Sequence, residues 1–107
     1  MSSVVCNDYE IETWVKEALS VFNLEEDLEI LVEWNNRFKS RMGDALYLRS
    51  GVGRIRLSTF LWPRATHEQR RITVIHEVCH LICRHLYGPG KEKTISESSL
   101  VRLETTF

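Results

Sequence analysis

The sequence predicts a small α+β domain, and three observations predict it. An amphipathic helical stretch lies near the N-terminus, a middle region alternates in the manner of strands, and a long apolar helix follows. At 107 residues the chain can bury one core without staples, so a single domain over 1–107 is expected. The expected order is an N-terminal helix, a sheet of about three strands, then a buried central helix.

Each element has its own local signal. Ile11, Trp14, Val15, Ala18, Leu19 and Phe22 recur at three- and four-residue spacing, which predicts a helix over 8–22 with Asp8 or Asn7 as N-cap. Leu28, Ile30, Val32 and Trp34 alternate with Glu29, Leu31 and Glu33, the period of a half-buried strand. "DALYLRS" reads as a second, weaker strand. "GVGRIRLS" reads as a third, with Ile55 and Leu57 inward and Arg54, Arg56 and Ser58 outward. "LWPRAT" breaks the pattern.

A long helix then begins at Thr66, which with Gln69 supplies the residue pair of a capping box. Gly88 and Pro89 mark its stop. Between residues 72 and 86 apolar residues cover most of the circumference, which predicts a central, buried helix. The tail from Lys91 to Phe107 reads as a short helix or a loosely attached segment.

Composition narrows the function classes. No apolar run is long enough to span a membrane, and the N-terminus lacks the basic-then-apolar order of a signal peptide. Three cysteines, an odd count, point to a reducing, cytoplasmic setting. The net charge of −1 hides a polarity. Residues 1–35 hold nine acidic residues against one lysine, whereas residues 36–71 hold nine Lys/Arg against Asp44 and Glu68. A basic middle segment suits an anionic partner, nucleic acid included; the alternative is that acidic helix and basic strands pair with each other.

The long helix carries "HEVCH", residues 76–80. Residues four apart on a helix sit one above the other, so His76 and His80 can share one ion, and imidazole suits Zn²⁺. Glu77 is rotated about 100° from His76, which fits a base facing metal-bound water rather than a ligand. That is the logic of HExxH: two ligands, and a carboxylate that takes the water's proton as it attacks a peptide carbonyl. The alternative is two core histidines, each with its polar groups satisfied by its surroundings. Cys79 and Cys83 fall in the same quadrant of the helix, but one straight helix cannot wrap four ligands round an ion, so both read as buried packing thiols.

A catalytic zinc takes a third protein ligand. His67 lies about 13 Å away along the helix and is excluded, and His85 is turned about 140° from His80. Beyond the glycine–proline turn, Glu97 is the best candidate, with Glu92 and Glu104 the other ligand-type residues.

The order "WNNRF…MGDALYLRSGVGRIRLSTFLWPRATHEQRRITVIHEVCHLICRHLYG" resembles the SprT-like, or Spartan-type, zinc metalloproteases. The resemblance covers roughly residues 9–96. It implies a zincin-like fold, a Zn²⁺ cofactor held by His76 and His80, and Glu77 as catalytic base. It also implies cleavage of protein or peptide substrates, in several members proteins attached to DNA, which the basic 37–71 segment would suit. Two features depart from the family. The third-ligand histidine of a His-Gly motif is replaced by "TISESSL", with Glu97 near its place, and no cysteine-rich zinc ribbon follows.

Two functions are therefore expected from different classes. The first is a zinc-dependent metallopeptidase. The second is a catalytically degenerate relative, for example phage or mobile-element encoded, that acts as a protein-binding or inhibitory module.

Overall fold

A computed structural model of the protein describes residues 4–5 and 8–88. The elements run β1 (Val4–Val5), α1 (Tyr9–Val21), β2 (Glu29–Asn35), β3 (Gly43–Arg49), β4 (Val52–Ser58), a 3₁₀ turn (Trp62–Arg64) and α2 (His67–Tyr87). The expected order of helix, sheet and helix is observed. Among the described residues the sheet has four strands rather than three, because β1, only two residues long, pairs parallel with β2. A pair of valines has no measurable period, so nothing local announces it. The tail, with Glu97, Glu92 and Glu104, lies outside the described residues, as does Pro89.

Local chemistry explains the element ends. Asp8 caps α1, its carboxylate accepting from the Glu10 and Ile11 amides. α2 opens on the capping box of Thr66 and Gln69, both bonds present, and closes at Gly88, whose φ of +85° suits glycine. Gly51, at φ +79°, turns β3 back into β4.

The strand order is β1-β2-β4-β3, so β2 and β4 lie parallel and β3 returns antiparallel along the far side of β4. On the covered side Ile30, Ile55 and Leu57 are fully buried with Val15, Leu19, Val78 and Ile82 of the helices. Gly53 lets β4 approach α2: a Cβ there would stand 2.7 Å from the Leu81 side chain. The residues between these on the strands, among them Leu31, Glu33, Arg54, Arg56 and Leu46, are half-buried or exposed. Ser58 departs from the outward expectation. It is buried because its hydroxyl donates to the Phe38 carbonyl at 2.6 Å and accepts from the Leu61 amide at 2.9 Å.

Among the described residues β3 is an edge strand. The Met42 carbonyl accepts from the Ser58 amide at 2.7 Å, which fixes the phase of the antiparallel ladder. Asp44 and Leu46 therefore bond towards β4, and Gly43, Ala45 and Tyr47 turn their N–H and C=O groups away from it.

α2 is not buried all round. Val74, Ile75, Glu77, Val78, Cys79, Leu81, Ile82 and Cys83 are buried, but His76 and His80 are half-exposed and Leu86 is exposed. The open stripe faces β3.

Candidate functional site

A cleft of about 340 Å³ lies between β3 and α2, with the backbone of 43–47 on one wall and His76, Glu77, His80, Leu81 and Arg84 on the other. All three residues of the motif that carry chemistry meet there. The ring nitrogens Nε2 of His76 and His80 stand 2.9 Å apart and the rings meet edge to face, 83° between planes. One ring must donate and the other accept for that contact to be a hydrogen bond.

Glu77 is buried at 9% exposure. Burial pushes its carboxyl up to about 7; the negative charge of Asp44 adds to the rise and Arg41 opposes it. Asp44 itself is engaged in a two-pronged pair with Arg56, one arm of which, Nε to Oδ1, is 2.9 Å.

The other ligand-type residues are directed elsewhere. The His67 ring lies 2.6 Å from a Glu10 carboxylate oxygen at the start of α2 and stacks edge-on against Trp14. His85 Nδ1 contacts the Tyr47 hydroxyl at 2.8 Å, and that hydroxyl also accepts from the Gly51 amide at 2.8 Å. Cys79 and Cys83 are buried thiols of the core, not joined in a disulfide, as their packing reading expects.

Among the described residues no group of three or more His, Cys, Asp or Glu side chains comes together in a way that could hold a metal ion. The expectation of a Zn²⁺ cofactor is corrected on that finding. With it falls the metallopeptidase reading, because Glu77 was to act on water that a three-ligand zinc had activated. The residues that the motif brings together do not by themselves fit the metal. What remains is two imidazoles in contact beside a protonatable, mostly buried carboxyl.

Sequence reasoning missed two parts of this site. Tyr47 and Arg84 close one end of the cleft, with the Arg84 guanidinium 5.5 Å from the Tyr47 ring centre. The outer edge of β3, unpaired among the described residues, forms a wall. "DALYLRS" marks a strand, but its place at the sheet edge depends on pairing across the whole fold.

The charge polarity is only partly cancelled internally. Glu33 pairs with Arg54 at 3.9 Å across the sheet, while Arg37, Lys39, Arg41, Arg49 and Arg64 are exposed. No helix among the described residues is long and apolar enough to cross a membrane. A search of curated proteins returns no match. A family model described as SprT-like family matches residues 11–94, a span running from α1 through the cleft and the whole of α2. The chain belongs to the SprT-like family.

Proposed function

We propose that this chain is a catalytically degenerate SprT-like protein that acts as a binding or inhibitory module, holding a segment of another protein in the cleft beside β3. The observation that carries this reading is the outer edge of β3, which no strand among the described residues pairs with, along an open cleft. Gly43, Ala45 and Tyr47 turn main-chain donors and acceptors away from β4, where an extended segment can add as a further strand. Main-chain hydrogen bonds supply affinity in that mode, and pockets beside the edge supply preference. His76 and His80 then shape the cleft wall and offer polar contacts.

Selection of binders from a random peptide library with the full chain tests this. Bound peptides should raise the exchange protection of the Ala45 and Tyr47 amides. Ala45→Pro removes one outward N–H without touching the β4 ladder and should abolish binding, whereas Glu77→Gln should leave it intact. Binders that ignore Ala45→Pro and protect neither amide would overturn the edge-strand reading.

A further inference from the structure

A second pocket of about 380 Å³, mostly apolar, lies towards the N-terminal end of α2, lined by Met42, Leu61, Ala65 and Ile72 with Arg64, Gln69 and Thr73. Met42 precedes Gly43 directly, and Ile72 lies one helical turn before His76, so pocket and cleft follow the same strand edge and the same helix face.

Exposed cations flank this pocket. Arg64 lines it, with its guanidinium 4.1 Å from the Phe60 ring centre and one nitrogen donating to the Phe60 carbonyl at 2.6 Å. Arg41 adjoins Met42; its guanidinium lies 5.1 Å from the Phe38 ring centre, and one of its nitrogens stands 3.9 Å from an Asp44 carboxylate oxygen. An aromatic face that carries an arginine restrains it while leaving most of its donors free for a carboxylate. The surrounding segment 36–71 has nine basic residues against two acidic ones.

We propose that the pocket takes one apolar side chain of an extended peptide, and that Arg41 and Arg64 take Asp or Glu residues flanking that anchor. The inference rests on the peptide-binding reading above and names its partner class: an acidic segment with a single apolar anchor. A peptide suits the surface better than a nucleic acid. The strand edge presents alternating donors and acceptors that match another main chain, and the pocket between the cations is apolar.

The test uses the full chain and the library-selected binders. Enriched sequences should place Leu, Met or Phe within a run of Asp or Glu. A capped heptapeptide with Leu at its centre and Asp on both sides should lose about tenfold in affinity to Arg64→Gln or Arg41→Gln. Ile72→Ser should weaken it by a similar factor, with its amide shifts centred on Met42 and Ile72. The same peptide with Lys in place of Asp should not bind. Binders that depend on Ala45 but show no acidic bias would overturn this inference and leave the edge reading standing. Acidic binders that need Arg64 yet ignore Ala45→Pro would do the reverse. A single-stranded oligothymidylate that binds through Arg41 and Arg64 more tightly than any selected peptide would replace the peptide by a nucleic acid. Absence of any binder would overturn both.

Discussion

His76 and His80 face each other on consecutive turns of α2 with their Nε2 atoms 2.9 Å apart. The spacing that suggested two ligands for one ion is equally the spacing that lets two imidazoles bond to each other. Such a bond fixes opposite tautomers: one ring carries its proton on Nε2, and the other keeps Nε2 free and its proton on Nδ1. Long-range ¹⁵N correlation spectra of the neutral protein should therefore show two different tautomers at these positions. Identical tautomers in both rings would mean that the contact is not a hydrogen bond.

Glu77 makes a pH-dependent contribution whose sign follows from its environment. Burial raises its folded carboxyl from the ordinary 4.5 to about 7, so the folded state binds the proton more tightly than the unfolded chain. The associated stability is fully present below about pH 4.5 and is lost as pH rises through 7. The loss is on the order of 3 kcal/mol at pH 8. Glu77→Gln should remove that slope and make the protein more stable than wild type at pH 8. Denaturant midpoints at pH 5 and pH 8 check this. Asp44→Asn should lower the Glu77 value, since the Asp44 charge is one of the causes that raise it.

Helix ends were the most legible part of this chain because their causes are local. Asp8, Thr66, Gln69 and Gly88 do in the structure what their residue types predict. The strand alternation was also legible, since Ile30, Ile55 and Leu57 point inward as their period requires. What the sequence did not reveal depends on contacts between distant segments. β3 lies at this edge only because β2 pairs with β4, each residue with one 23 positions further along the chain. The site was legible in position and not in chemistry. Angular steps along α2 group His76, Cys79, His80 and Cys83 together, yet both thiols are buried and both imidazoles open on the cleft. Burial depends on what packs at each height of the helix, which angle alone does not encode.

Gly53 reports on how closely β4 and α2 must approach. A methyl group there would meet Leu81, which is 2% exposed and has little room to turn. Gly53→Ala should destabilise by about 1–3 kcal/mol through overpacking. Leu81→Ala alone should cost about 2–5 kcal/mol by leaving a cavity. Together the two changes should cost less than their sum, because each relieves the fault of the other. Strict additivity in a denaturation cycle would show that Gly53 is not held by this contact.

Tyr47 ties the end of the cleft to the β3–β4 turn through one hydroxyl. It accepts from the Gly51 amide at 2.8 Å and contacts His85 Nδ1 at 2.8 Å, so its own proton can go to the imidazole. Tyr47→Phe keeps the ring, including its contact with Arg84, and removes only this junction. A partly buried amide in a tight turn is then left without its acceptor, a loss of about 1–3 kcal/mol. His85→Ala removes one arm and leaves the Gly51 bond, so it should cost less than Tyr47→Phe. Amide exchange adds a local readout: the Gly51 amide should exchange faster in Tyr47→Phe and stay protected in His85→Ala. Equal exchange in the two variants would separate His85 and Gly51 from a common partner and remove Tyr47 as the link between turn and helix.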